Sequence, residues 1–271
     1  MFISSKFEIA VVPALNDNYI WIIHNVRYAA VVDPGEAETV LAFLNARGLQ
    51  LVAILCTHRH PDHIGGIAEL REVYNVPVYG RRHPGNPHIT DDLHEGAQLK
   101  LGAPDIDFGI TFGIIETPGH LDDHIAYFAA NIAPGILFCG DVLFGAGCGR
   151  NFEGTVAQLH YSLQRLAHLP GDTRVYCAHE YTAANLRFAL ACEPGNAALQ
   201  QRITDTNQLR DSNQPTVPST IALELATNPF LRCTQPEIIR ILQQRGLTGT
   251  SEIGISELGV FTALRAWRNQ F

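Results

Sequence analysis

The sequence predicts a mixed α/β domain followed by a helical domain, and three observations support this prediction. Strand-like apolar runs alternate with amphipathic helical patterns up to about residue 180, and helical patterns follow it. Several of the apolar runs end in a side chain that can bind a metal ion. With 271 residues, 46% of them hydrophobic, the chain can bury a sizeable core. We therefore expect an α/β domain over residues 1–180 and a helical domain over residues 181–271.

The first part of the chain alternates short strands with one helix. Apolar runs at 7–12, 19–23 and 29–33 are separated by turn-forming residues and favour antiparallel strands. Residues 36–47 show helical spacing and end before Gly48, a typical residue after a helix. Residues 51–56 are apolar at every position, as in a strand that is covered on both faces. That strand delivers the next segment at its carboxyl end, where ligands bind in open α/β sheets.

Residues 57–66 (THRHPDHIGG) offer four potential metal ligands in six positions, namely His58, His60, Asp62 and His63. Neutral imidazole and carboxylate groups bind zinc at about 2.0 to 2.2 Å. His58 and His60 are two residues apart and Pro61 interrupts a helix, so we expect these ligands to converge from a turn. Asp62 and His63 are adjacent and must point differently. The segment therefore suits two metal ions better than one.

Three later strand-like runs also deliver one metal-competent side chain each. Runs at 110–116, 135–140 and 174–178 lead, in that order, to His120, Asp141 and His179. A capping Asp or a buried His would explain any one of them alone. All three together indicate that the strand ends meet at one edge of the sheets. Histidines 83, 88 and 94 lie in a polar loop and are not expected to be ligands.

The rest of the chain predicts one loop and five helices. Residues 145–150 are rich in glycine but lack the Gly-Lys-Ser/Thr ending of a phosphate-binding loop, so we expect a flexible loop beside the metal site. Helical patterns cover residues 155–169, 180–192, 197–210, 236–244 and 256–269, with a linker at 213–219.

Composition restricts the classes of partner and the location. The formal net charge is −8 and the pI is about 5.8, which argues against nucleic acid or an anionic membrane as the main partner. The sequence shows neither a signal-peptide pattern nor an apolar run near the ~18 residues that span a bilayer, so a cytoplasmic protein is expected. The six cysteines include no Cys-x-x-Cys pair, which argues against a disulfide framework and a cysteine zinc site.

The motifs together resemble one known family. The His-x-His-x-Asp-His segment is similar to the signature of the metallo-β-lactamase superfamily. Nearly the whole chain resembles the glyoxalase II family, the hydroxyacylglutathione hydrolases, through the segments 13–19 (PALNDNY), 32–35 (VDPG), 117–120 (TPGH), 139–141 (CGD), 147–149 (GCG), 179–182 (HEYT) and 228–230 (NPF) and the arginine-containing last helix. The resemblance implies an αββα sandwich followed by a C-terminal helical domain.

The resemblance also implies a ligand set and a substrate. It assigns His58, His60 and His120 to a first metal, Asp62, His63 and His179 to a second, and Asp141 to a bridge between them. It assigns glutathione contacts to Arg150, Phe152, Tyr181, Arg265 and Arg268. Arg265 and Arg268 lie three residues apart on one helical face and could grip a carboxylate together, although two arginines can also simply complement the helix dipole. Asp33 is expected to orient a ligand histidine.

The implied activity is hydrolysis of an S-2-hydroxyacylglutathione thioester, with S-lactoylglutathione as the expected substrate in methylglyoxal detoxification. A metal-bridging hydroxide would attack the thioester carbonyl. Two divalent ions per chain are expected, zinc first, with iron or manganese as alternatives. The protein is expected to be a monomer. The alternatives are a mononuclear iron persulfide dioxygenase of the same superfamily and, from a different class, a non-catalytic metal-stabilised binding module.

The sequence departs from the family pattern at several positions. Arg150 and Arg268 stand where the family often has lysine, and Phe152 stands where it often has tyrosine. After His120 the family usually continues Thr-x-Gly-His, whereas residues 121–124 read LDDH. These departures leave the metal ligands intact and concern substrate affinity more than reaction class.

Overall fold

The computed structural model describes residues 7–103, 105–247 and 256–271. The chain has a mixed α/β fold with two main β-sheets, as the sequence predicts. Backbone contacts divide it into two units. Unit 1 comprises Met1–Thr117 and Asp123–Gly140, and unit 2 comprises Pro118–Asp122 and Asp141–Phe271.

The first sheet lies in unit 1 and has the strand order β1-β2-β3-β4-β5-β6. Its strands are β1 (Glu8–Ala14), β2 (Asn18–His24), β3 (Tyr28–Val32), β4 (Gln50–Leu55), β5 (Val78–Gly80) and β6 (Asp91–Asp92). The first three strands pair antiparallel and β3 to β6 pair parallel. The helices α1 (Glu38–Arg47), α2 (Pro61–Ile64) and α3 (Ile67–Val73) lie in the connections on either side of β4.

The apolar core of this sheet explains why β4 lacks alternation. Five of its six residues are buried, as are four of the five residues of β3. Val31 and Ile54 belong to one buried cluster with Val40 and Leu44 of α1. Gly48 follows α1 with a φ of 63°, the left-handed conformation that the sequence predicts for the residue after this helix.

Unit 1 also contains four strands of the second sheet. The strands β7 (Gln98–Ala103), β8 (Ile106–Glu116), β9 (Ile125–Ala129) and β10 (Ile136–Gly140) pair antiparallel in this order. Buried and half-buried residues alternate along β8, as expected where a strand covers a core with one face. The apolar runs of the sequence predict β8 and β10 but not β7 and β9.

Unit 2 contains a short hairpin and is otherwise largely helical. Its strands are β11 (Leu143–Phe144), β12 (Gly147–Cys148), β13 (Arg174–Cys177) and β14 (Ser219–Thr220). Its helices are α4 (Val156–Ala167), α5 (Thr182–Cys192), α6 (Ala197–Asp211), α7 (Ile221–Thr227), α8 (Pro236–Gln244) and α9 (Glu257–Arg268), with a 3₁₀ turn at Pro229–Leu231. The predicted helices agree within about two residues at most ends.

Three local predictions for unit 2 need correction. Residues 145–150 are not a flexible loop, because β11 and β12 form a buried antiparallel hairpin. The region after residue 180, predicted to be helical apart from a linker at 213–219, also contains two further elements. These are β14, which begins at the last residue of the predicted linker and pairs with β13, and α7, which was not predicted. Both elements depend on long-range contacts that local patterns do not contain. Among the described residues, none of the helices is long and apolar enough to cross a membrane.

Candidate metal centre and substrate pocket

The His-rich segment of unit 1 begins where β4 ends and includes a short helix. Pro61 takes the first position of α2, where its missing N–H needs no partner, and Asp62 and His63 lie on the same helix. The helix begins only at Pro61, so His58 and His60 precede it, as expected, whereas Asp62 and His63 lie on a helical turn that the sequence analysis did not predict. Gly65 and Gly66 come next in the chain. Only glycine fits at these positions, because a Cβ at either would lie 2.5 Å or less from the backbone of residues 35 and 36.

Asp33 connects the end of β3 with this segment. Its buried carboxylate accepts hydrogen bonds from Thr57 N at 2.8 Å and from Thr57 Oγ1 at 2.7 Å. Its Oδ2 also lies 3.1 Å from His63 Nδ1. A carboxylate at this distance favours the proton on Nδ1, so that Nε2 of His63 carries the lone pair that a metal needs.

Thr57 extends the same arrangement to His58. Because the Thr57 hydroxyl donates to Asp33, it accepts from His58 Nδ1, 3.0 Å away, and this tautomer also leaves the lone pair on Nε2. His58 Nε2 and His60 Nδ1 are 3.1 Å apart. That separation suits two ligands that each lie about 2.1 Å from one ion. The buried carboxylate of Asp33 thus orients two imidazoles, that of His63 directly and that of His58 through Thr57.

Asp62 is held by a residue from the start of β2. Asn18 Nδ2 donates to Asp62 Oδ2 at 2.9 Å, and the same oxygen lies 3.5 Å from His63 Nε2. Asp62 and His63 are adjacent in sequence and were expected to point in different directions. The structure nevertheless brings their donor atoms to within 3.5 Å of each other on one helical turn.

The donors of unit 2 are arranged around Asp141. Its Oδ2 lies 3.5 Å from His120 Nε2 and its Oδ1 lies 3.3 Å from His179 Nε2, and the three side chains are buried. His120 Nδ1 donates to the Arg150 carbonyl at 2.8 Å, which assigns the lone pair to Nε2. The two oxygens of one carboxylate thus face two different imidazoles. This geometry suits a carboxylate that bridges two cations.

The donor chemistry of both units fits a divalent metal ion. The donors are imidazole nitrogens and carboxylate oxygens, a set that accepts zinc, iron or manganese. None of the six cysteines, all of which lie in the described residues, forms a disulfide, and all are buried. Burial raises the pKa of Cys148 and raises that of Cys177 to about 12, so these thiols are poor metal ligands at neutral pH.

A cavity of about 450 Å³ opens in unit 2 beside His120 and Asp141. Its lining includes all five residues that the family resemblance assigns to glutathione, namely Arg150, Phe152, Tyr181, Arg265 and Arg268. Three of these carry positive charge in a chain whose net charge is −8. The cavity is therefore a local basic pocket of a size that suits a small anionic ligand.

The two arginines of α9 differ in their surroundings. Arg265 is 4% exposed, and its Nη1 donates to the carbonyls of Cys148 and Gly149 at 2.9 and 3.2 Å. Arg268 is half-buried and donates from Nη2 to Asn185 Oδ1 at 3.3 Å. Partial burial and the neighbouring cations Arg265 and Arg150 lower the pKa of Arg268. Of the two, Arg268 is better placed to meet an incoming carboxylate.

Aromatic rings border the unit 2 donors. The Tyr181 ring stacks on His179 with centroids 4.7 Å apart and planes 5° apart. Phe152 is 61% exposed and packs edge-on against His120 at 5.2 Å. The family's frequent tyrosine would place its hydroxyl on this exposed ring, so the change to phenylalanine alters the pocket and leaves His120 supported.

Several supporting residues are missing from the sequence-based prediction. Thr57 and Asn18 contact donors directly, and both lie in motifs that carry the family resemblance. Arg59 forms a part-buried ion pair with Asp123, which stands where the family usually has glycine. Burial raises the pKa of Asp123, and Arg59 opposes that rise. The sequence signal for this pair is a positive charge within the His-rich segment and a negative charge where the family usually has glycine.

Comparisons with known proteins agree with this geometry. The sequence model of the metallo-β-lactamase superfamily matches residues 14–179, and that of the hydroxyacylglutathione hydrolase C-terminus matches residues 180–271. The structure is similar to the crystal structure of ETHE1 from Myxococcus xanthus, with a TM-score of 0.61 and 25% identity over 97% of each chain. It is also similar to TTHA1623 in a di-iron-bound form, with a TM-score of 0.52 and 30% identity over 62% of this chain and 90% of that one. The fold is thus the αββα metallo-β-lactamase fold with a C-terminal helical region.

Full-length relatives identify the family. Hydroxyacylglutathione hydrolases from Pseudomonas aeruginosa and Albidiferax ferrireducens are 47% and 48% identical to the chain, over 97% and 96% of its length and 99% and 98% of theirs. One from Nitrosomonas eutropha is 45% identical over 96% of the chain and 97% of its own length. The chain belongs to the hydroxyacylglutathione hydrolase family, also known as glyoxalase II.

Proposed function

We propose that this protein hydrolyses S-2-hydroxyacylglutathione thioesters, with S-lactoylglutathione as the substrate, to glutathione and a 2-hydroxy acid. The observation that carries the proposal is the basic pocket beside His120 and Asp141. Glutathione presents two carboxylates, and Arg150 and Arg268 supply positive charge in this pocket. The relatives that bear the name hydroxyacylglutathione hydrolase support the assignment over nearly the full length.

We further propose that the seven donors hold two divalent metal ions. His58, His60 and His120 would bind the first ion, and Asp62, His63 and His179 the second. Asp141 would bridge them, which its two oxygens facing two imidazoles support. The di-iron form of the similar protein TTHA1623 supports a metal pair. Zinc is the metal that we expect.

The chemistry that such ions supply is Lewis acidity, which lowers the pKa of a bound water toward ~7 and polarises the thioester carbonyl. The residues of the chain provide the positions. Asp33 and Thr57 hold His63 and His58 in the tautomers that present Nε2, and the Arg150 carbonyl does the same for His120. The departing thiolate is a good leaving group, so the reaction needs no strong general acid from the protein.

The pocket residues would place the thioester carbonyl at the metal pair. Arg268, with Arg150, would pair with a glutathione carboxylate, and the Tyr181 and Phe152 rings would flank the peptide. Arg265 is largely engaged with the Cys148 and Gly149 carbonyls. We therefore propose a smaller direct share in carboxylate binding for Arg265 than the spacing of the two arginines suggests. The division into residues 1–180 and 181–271, the cytoplasmic location and the monomeric state remain predictions.

The test is hydrolysis of S-lactoylglutathione by purified, metal-loaded protein and by a His58→Ala variant. We expect turnover by the wild type and a loss of at least about 100-fold in the variant, since a direct metal ligand is removed. His94→Ala is the matched control, because His94 is an exposed histidine in a polar loop. Equal activity of wild type and His58→Ala would reject the assignment.

The iron-dependent persulfide dioxygenase is the less supported alternative, because relatives at 45–48% identity bear the name of the hydrolase. A non-catalytic binding module is also less supported, because structural zinc sites are closed and commonly use cysteine.

A further inference from the structure

One wall of the substrate pocket is built from a segment with few side chains of its own. The hairpin β11–β12 and the residues up to Arg150 supply Phe144, Cys148, Gly149 and Arg150 to the pocket lining. At its turn, Ala146 has a φ of 55°, a conformation that is costly for a residue with a Cβ. Local sequence therefore does not explain why this wall keeps its shape.

Glu224 of α7 reaches this turn from inside unit 2. It is fully buried, and its Oε2 accepts a hydrogen bond from Ala146 N at 2.8 Å. Its Oε1 accepts from Arg202 Nη2 and from Ser219 Oγ, each at 2.6 Å. The buried Arg202–Glu224 ion pair thus anchors a carboxylate that fixes the strained turn.

Asn228 continues this contact along the hairpin. Its Nδ2 donates to the Gly147 carbonyl at 2.9 Å and lies 3.1 Å from Glu224 Oε2. Asn185 Nδ2 donates to the Gly145 carbonyl at 3.1 Å. With the Arg265 contacts to residues 148 and 149, buried side chains of the helical region hold a continuous stretch of the hairpin backbone.

The glycines of the hairpin allow this close approach. A Cβ at residue 147 would lie 2.4 Å from Asn185 Nδ2, and a Cβ at residue 145 would lie 2.3 Å from Thr182 Oγ1. Side chains that hydrogen-bond the hairpin backbone therefore shape this wall. Two of them, Glu224 and Asn228, do not line the pocket themselves.

We propose that Glu224 and Asn228 are positioning residues for the glutathione part of the substrate, a role that rests on the proposed function. They act through the hairpin on Cys148, Gly149 and Arg150 at the pocket wall. Loss of either contact would let the wall shift relative to Arg268. Affinity for the glutathione moiety would then fall, whereas reaction of a thioester that lacks this moiety would change little.

The experiment compares Asn228→Ala and Glu224→Gln with Thr227→Val. Thr227 is the matched control because its Oγ1 accepts from Arg202 Nη1 at 2.6 Å, in the same buried network, and it makes no described hydrogen bond to the hairpin. Three quantities are measured: the Kd for S-methylglutathione, KM and kcat for S-lactoylglutathione, and kcat/KM for the neutral thioester S-lactoyl-N-acetylcysteamine.

For the two positioning variants we expect Kd and KM to rise about tenfold, as for loss of one buried hydrogen bond. We expect kcat/KM for the neutral thioester to stay within about twofold, and all values for Thr227→Val to stay near wild type. Glu224→Gln keeps the side-chain volume and carries the test if Asn228→Ala does not fold.

Equal losses on both thioesters, or an unchanged Kd in the positioning variants, would overturn the proposal, because either result would indicate a purely structural role. A wild-type protein that neither binds S-methylglutathione nor hydrolyses either thioester would refute the proposed function itself. A wild type that does both, with variants that match it, would refute the positioning role alone.

Discussion

Replacement of Asp33 by Asn is expected to weaken metal binding and activity about 10- to 100-fold. The carboxylate accepts two hydrogen bonds from Thr57 and lies 3.1 Å from His63 Nδ1. Asparagine has nearly the same shape but only one acceptor oxygen, and its amide N–H groups would face donors. The variant therefore keeps the packing and removes the charge that selects the histidine tautomers.

The magnitude follows from the contacts that are lost. One side of the amide can still accept from Thr57 N, whereas at least one hydrogen bond to a charged acceptor disappears. Such a bond contributes about 1.5 to 3 kcal/mol, and 1.4 kcal/mol corresponds to a factor of ten in a binding constant. The result is a loss of roughly 10- to 150-fold, in agreement with the range for residues that orient metal ligands.

Competition with a chelator of known zinc affinity measures the effect, alongside the thioester assay at saturating metal. Asp107→Asn is the control, since this aspartate is exposed and pairs with Lys100 at 3.0 Å. Unchanged zinc affinity in Asp33→Asn would refute the view that Asp33 orients His63 and His58.

Three further predictions concern the fold, two from substitutions and one from the reactivity of a buried thiol. Thr155→Ala removes one half of the capping box at the start of α4 and is expected to lower the free energy of unfolding by about 1 kcal/mol in urea titrations, with Thr204→Ala on the exposed face of α6 as the comparison. Gly119→Ala is expected to cost about 2 to 4 kcal/mol, because φ is 133° and the new Cβ would lie 2.5 Å from the Leu159 backbone; wild-type stability would contradict this reasoning. Burial raises the pKa of Cys177 from 9.0 to about 12, so this thiol should react slowly with a thiol reagent at pH 8 in the native protein, and rapid labelling would contradict this. Because the pKa is higher in the folded state, the contribution of this thiol to the free energy of unfolding should be fully present below pH 9 and should decline as the pH rises from 9 toward 12.

The sequence predicts much of the fold where patterns are local. Residues that are close in sequence determine the apolar run before His58, the helix that ends before Gly48 and the final helix with its arginines. Spacing also identifies the unit 1 donors, because His58, His60, Asp62 and His63 lie within six positions. The family resemblance adds the roles of the more distant donors.

Long-range contacts account for what the sequence analysis missed. Glycine-rich residues 145–150 suggest flexibility, but Glu224 and Asn228, about 80 residues later, hold this segment as a buried hairpin. Spacing on α9 likewise suggests that Arg265 and Arg268 act alike, whereas the hydrogen bonds of Arg265 to the hairpin carbonyls distinguish them. Neither contact has a local sequence signature.

Titration of the metal-free protein with zinc and, in a parallel series, with iron(II), with thioester hydrolysis and oxygen consumption measured at each step, tests the presence of a hydrolytic metal pair most directly. We expect activity on S-lactoylglutathione to rise to a plateau near two equivalents of metal per chain, without oxygen consumption. A plateau at one equivalent of iron with oxygen consumed, or no hydrolysis at any metal content, would contradict it.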